Sequence, residues 1–118
     1  MSTPMEIRIL PRSGWVLVAV SGRLDMTSAG TLEHKLETVI ASGQHRVAIE
    51  LGQLDYLSSA GLRALMVAAK RLQEVAGTLV LIGLRGTVKD VLELAGLINV
   101  FPVFASEADL LAALPDWR

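Results

Sequence analysis

A chain of 118 residues holds one domain, long enough to bury a core of its own. Hydrophobic residues make up 52% and aromatics 4%, so that core is aliphatic, and a formal net charge of −1 offers no basic surface for nucleic acid or an anionic membrane. The absence of cysteine excludes disulfides, thiolate metal sites and cysteine nucleophiles, and suits a reducing, cytoplasmic setting.

The opening MSTPMEIRIL has no basic region followed by a long apolar stretch, so no signal peptide is expected, and no run reaches the length of a membrane span. Residues 1–4, ending at Pro4, read as a flexible tail before a domain over 5–114. Met5, Ile7 and Ile9 alternate with Glu6 and Arg8, which predicts a half-buried strand. PRSG is a turn, and the β-branched run WVLVAVSG is a second strand, so the two form an antiparallel hairpin. Ala29, Leu32, Leu36, Val39, Ile40 and Gly43 recur at helical spacing and predict a helix over 27–42, started by Thr27 or Ser28 and stopped by Gly43.

RVAIEL is the next strand, with Val47, Ile49 and Leu51 on one face. A loop carrying Asp55 and Tyr56 leads to a second amphipathic helix over 60–76. Leu62, Leu65, Met66, Ala69, Leu72 and Ala76 mark its apolar face. TLVLIGL is apolar almost throughout, as a strand covered on both faces should be. A third helix is expected to open at Thr87, with Asp90 completing a capping box, to bury Val88, Val91, Leu92 and Ala95, and to end at Gly96. VFPVF is a short last strand, and Ser106 with Asp109 starts a fourth helix. The order β-β-α-β-α-β-α-β-α predicts an α/β domain: a mixed, mostly parallel sheet, an N-terminal antiparallel hairpin and about four helices.

Most catalytic chemistry is missing from this sequence. It has neither a P-loop nor a dinucleotide-binding glycine motif. His34 falls on a polar helix face and His45 in a loop, and no cluster has metal-ligand spacing. A receiver domain would need paired carboxylates after the first strand, and MEIRILPRSG supplies none. Neither Ser58 nor Ser59 sits in G-x-S-x-G, and no base accompanies them, so a serine hydrolase is a distant reading. No enzyme activity, cofactor or metal is expected.

What stands out is LDYLSSAGLR, residues 54–63, with two hydroxyls at a helix start. A serine there can cap, because the first N–H groups of a helix lack internal partners. The same positive end also suits a phosphoserine.

The segment VAIELGQLDYLSSAGLRAL, from Val47 to Leu65, resembles the signature of the STAS domain family as it occurs in anti-sigma factor antagonists. VSGRLD at 20–25 and VLELAGLINVFPVFASEADLLAAL at 91–114 are similar to the family's second-strand and C-terminal segments. The resemblance implies that Ser59 is phosphorylated, with Ser58 as the alternative acceptor, since Ser58 stands where many relatives have aspartate. It implies that Asp25 lies near that serine and that Gly22 supports its turn; read by residue type alone, Asp25 is equally a cap for the helix that follows. Asp25, Ser58, Ser59, Gly61 and Arg63 would face the partner, with Gly61 letting partner backbone come close. The implied partners are a serine-kinase anti-sigma factor of the histidine-kinase-like ATPase fold and a phosphatase of the PP2C type. The chain would bind the kinase when unphosphorylated and be released on phosphorylation. The alternative is a regulatory subunit of a lipid-transport ATPase complex, without phosphorylation.

Overall fold

In the computed structural model, which describes residues 3–118, β1 (Glu6–Pro11) turns back into β2 (Val16–Leu24), antiparallel, with Glu6 opposite Ser21 and Pro11 opposite Val16. The hairpin closes where the Arg12 N–H donates to the Trp15 carbonyl at 2.9 Å. Three crossovers follow. β2 leads through α1 (Ala29–Ala41) to β3 (Arg46–Leu57), β3 through α2 (Ser59–Glu74) to β4 (Thr78–Ile82), and β4 through α3 (Gly86–Leu94) to β5 (Val103–Phe104). Each crossover returns to a parallel neighbour, so the sheet runs β1-β2-β3-β4-β5 with only β1 antiparallel. α4 (Glu107–Ala113) closes the order, which is the one the sequence predicts.

The sheet divides two apolar layers. Val16, Val18, Val20, Val47, Ile49 and Leu51 pack with the buried faces of α1, α2 and α3. On the other side Trp15, Leu17, Ala48, Val80 and Ile82 pack with Leu110 of α4 and Trp117, whose ring lies 5.6 Å from that of Trp15. Both faces of β3 and β4 are thus covered, which is why TLVLI carries no polar residue after Thr78. β1 is an edge strand: Ile7 packs against the core, while Ile9, on the same face, is 37% exposed.

Several elements differ from the sequence reading. β3 runs six residues beyond RVAIEL, because Gln53 to Leu57 pair with Ser21 to Leu24 of β2 across register shifts. Asp55 and Tyr56 therefore belong to a strand and not to a loop. α2 buries Gly61, Ala64, Leu65, Ala68 and Leu72, while Met66 is half exposed. Small residues let the helix sit close to the sheet, a preference that apolar spacing, weighted towards large side chains, misplaces by one position. At α3 the N-cap is Arg85, extended and without a side-chain cap bond, so Thr87 lies inside the first turn and the capping box does not form. β5 is only two residues long, preceded by a 3-10 turn over Leu97–Asn99. Of the expected tail, Met1 and Ser2 lie outside the described residues. Thr3 accepts from the Arg23 N–H at 3.2 Å.

Candidate functional site

The C-terminal ends of β2 and β3 lie side by side, with Leu24 opposite Leu57. Beyond them the chain turns twice, into α1 and into α2, and the two turns are joined: the Ser58 N–H donates to the Leu24 carbonyl at 2.9 Å. This bond brings the Asp25 loop to the start of α2, as the sequence reading expects. In parallel α/β sheets such a strand-end crevice is where ligands are commonly met.

The two serines there are not equivalent. Ser58, half-buried and extended (φ −90°, ψ 172°), is the N-cap: its Oγ accepts from the Gly61 N–H at 3.2 Å, and its carbonyl accepts from the Leu62 N–H at 3.0 Å. Ser59 is the first residue of α2 and is exposed. Among the described residues its hydroxyl has no hydrogen-bond partner. No acidic residue occupies the first turn of α2, so nothing in that turn offsets the positive helix end. One turn on, Arg63 is exposed and forms no ion pair among the described residues.

Asp25 organises the neighbouring turn. Its Oδ1 accepts from the Thr27 hydroxyl at 2.6 Å and from the Thr27 N–H at 2.9 Å, and its carbonyl accepts from the Ala29 N–H at 2.9 Å. Ser28 Oγ accepts from the Asp25 N–H at 3.0 Å and donates to the Arg23 carbonyl at 2.9 Å. Ser28 is thus the N-cap of α1 by position, but its hydroxyl braces the loop behind it. The Thr27 hydroxyl, then the Thr27 N–H, Ser28 and the Arg23 guanidinium 3.6 Å away hold the Asp25 carboxyl below its ordinary range. A carboxylate bonded in this way stays ionised at neutral pH.

Gly61 does not face outward. A β-carbon there would meet Leu24 Cγ at 2.7 Å and Leu57 Cδ1 at 2.8 Å, so the missing side chain lets α2 seat on the ends of β2 and β3. The expectation that it opens space for a partner's backbone is corrected accordingly. Gly22 has φ +82° at a register shift of β2, and a β-carbon there would collide with the Pro4 carbonyl.

Three features of this surface escape sequence reasoning. Arg23 stacks on Tyr56 with its guanidinium carbon 4.1 Å from the ring centre, a pairing created by strand register alone. Pro4 covers Gly22. Met26, 83% exposed beside Asp25, did leave a signal, as an apolar residue in an otherwise polar turn. Among the described residues no group of three His, Asp or Glu side chains could hold a metal ion, and no helix is long and apolar enough to cross a membrane.

With this geometry in place, the chain's likenesses are informative. The family model described as the STAS domain matches residues 6–110. A protein of Bordetella bronchiseptica carrying the name anti-sigma factor antagonist BtrV is 39% identical over 109 residues, covering 92% of this chain and 94% of its own. The crystal structure of an anti-sigma factor antagonist from Mycobacterium paratuberculosis superposes with a TM-score of 0.86 at 28% identity, covering 98% of this chain and all of that one. The Bacillus cell-fate determinant SpoIIAA in its phosphorylated form shares the fold, with a TM-score of 0.72 at 20% identity over 94% of this chain and 99% of its own.

Proposed function

This chain belongs to the STAS domain family, in its anti-sigma factor antagonist branch, and from that premise we propose that it is a phosphorylation-controlled ligand of a serine-kinase anti-sigma factor, with Ser59 as the acceptor. The observation that carries the reading is the division of labour between the serines. Ser58 is committed to the cap, whereas Ser59 offers an exposed, unengaged hydroxyl at the positive end of α2.

The switch follows from electrostatics. A kinase of the histidine-kinase-like ATPase fold transfers the γ-phosphoryl group of ATP to Ser59 Oγ; the hydroxyl proton is lost and ADP leaves. The product carries about −1.5 to −2 charges at pH 7. Within the chain that charge is tolerated, because it sits at a helix N-terminus. In the complex it is buried against a surface that received a hydroxyl, beside the ionised Asp25, and an unpaired buried charge costs several kcal/mol. Every ~1.4 kcal/mol is tenfold in affinity, so the complex comes apart. A PP2C-type phosphatase resets the switch by hydrolysing the ester. On this reading the chain is substrate and ligand, not an enzyme. The partner surface comprises Asp25, Ser58, Ser59 and Arg63, with Gly61 supporting it from beneath.

The test pairs intact-mass analysis with calorimetry. Incubation with the kinase and ATP should add one phosphate, mapped to Ser59. Ser59→Ala should bind the kinase like the wild type, and Ser59→Asp should bind more weakly. Phosphate that persists in Ser59→Ala and vanishes in Ser58→Ala would move the acceptor to Ser58. Tight binding to an ATPase subunit with no mass change would replace this reading by the lipid-transport one.

A further inference from the structure

We propose that the groove along the outer flank of α2 binds an anionic amphiphile, a molecule with one carboxylate head and an alkyl tail in the manner of a fatty acid. The groove has a volume of about 640 Å³, within the range of roughly 300–1,000 Å³ typical of small-molecule sites. It is lined by Met66 and Val67 of α2, by Leu79 of β4, and by Val100 and Phe101, which lie between the 3-10 turn and β5. Leu79 and Phe101 are buried, but Met66 is 50% and Val100 64% exposed, so two large apolar side chains of one cleft are left facing water.

The charge of the cleft selects its occupant. Arg63 and Lys70 line it and no acidic side chain does. Neither cation forms an ion pair among the described residues, whereas the adjacent Arg71 is held by Glu37 from α1. The two are rooted seven residues apart on the same flank, about 10 Å along the axis. Both have long flexible stems that cover apolar surface while their heads stay in water, so they can converge on one carboxylate over a buried tail.

Arg63 also belongs to the partner surface of the proposed function. If that reading holds, an occupied groove and a bound kinase compete for one guanidinium, and the amphiphile becomes a second input to the switch. Binding to the groove does not itself rest on that reading.

The probe is laurate, kept below its micellar concentration, added to the whole chain without any kinase. Calorimetry should show one saturable site, and the Met66 methyl resonance should shift on binding. Lys70→Gln should weaken binding about tenfold, the worth of one charge-assisted hydrogen bond. Val100→Asp should abolish binding while the unfolding temperature and circular dichroism stay near wild type. Dodecyl maltoside, with an alkyl tail of nearly the same length and no charge, should bind much more weakly. Saturation that fails to appear, a neutral head that binds as tightly, or a Met66 methyl that does not move would overturn the proposal. So would an acidic helical peptide that occupies the groove where laurate does not. A second titration, of kinase into chain saturated with laurate, separates the two readings: laurate bound with kinase affinity unchanged upholds the groove and removes Arg63 from the partner surface.

Discussion

At the start of α2, Ser58 Oγ accepts from the Gly61 N–H at 3.2 Å; at the start of α4, Ser106 Oγ accepts from the Asp109 N–H at 3.1 Å. The caps match, but the turns they open do not. α4 carries Glu107 and Asp109 in its first turn, and Glu107 is bonded to Arg12 at 2.6 Å. Its positive end is offset by its own sequence and tied to the hairpin. α2 follows its cap with Ser59, Ala60 and Gly61 and has no acid in that turn. One end is complete as it stands; the other is left open to a charge from outside the chain. The contrast teaches that capping and anion-readiness are separate properties, and that a serine at N1 rather than at the cap is where the second can be exploited.

The largest expected effect sharpens that contrast directly. Phosphate on Ser59 should lower kinase affinity at least a hundredfold, ~3 kcal/mol or more, measured by calorimetry on the purified phosphoprotein. A phosphoprotein that binds like the free one would make the open helix end incidental. Gly61→Val comes next. Its side chain would press on Leu24 and Leu57 at the base of α2, and overpacking of this kind costs about 1–3 kcal/mol, read by urea unfolding. Unchanged stability would mean that α2 is not seated as described.

Smaller effects separate the serines. Ser58→Ala and Ser106→Ala should each cost about 1 kcal/mol, the usual loss for a cap. Ser59→Ala should cost less than about 0.5 kcal/mol, as for a surface substitution with no partner. Equal losses at 58 and 59 would break the distinction between them. The smallest effect concerns Asp25, whose folded pKa lies below its unfolded one because the Thr27 hydroxyl and N–H bind the ionised form. The stability it contributes is complete above the unfolded pKa of about 3.9 and is lost as pH falls through the lower folded value. Thr27→Val should shrink that acid-side loss, measured as unfolding midpoint against pH, and leave neutral-pH kinase binding intact.

Much of this was legible from local chemistry. Alternation in β1, β-branched or apolar runs in the later strands and period-3.6 spacing placed the five strands and four α-helices in order, and Ser106 with Asp109 announced the start of α4, because these signals depend on neighbours within a few residues. The serine pair was legible too, as two hydroxyls opening a helix in LDYLSSAGLR. The failures share a cause. The second half of β3 exists because β2 pairs with it across register shifts, and Arg23 reaches Tyr56 for the same reason. Thr87 looked like a cap in sequence, yet the cap of α3 falls two residues earlier, with Arg85 extended and its guanidinium bonded to the Gly52 carbonyl at 2.5 Å.

The sequence by itself determined the α/β order, the aliphatic two-sided sheet and the presence of a serine pair at a helix start, since periodicity and capping are decided by residues close in the chain. Only the tertiary structure decided which serine is free, that Gly61 is packed against Leu24 and Leu57, and that Arg23 stacks on Tyr56. Each of these depends on β2 and β3 ending side by side, and that register is set by contacts between residues some thirty positions apart, which no local pattern encodes.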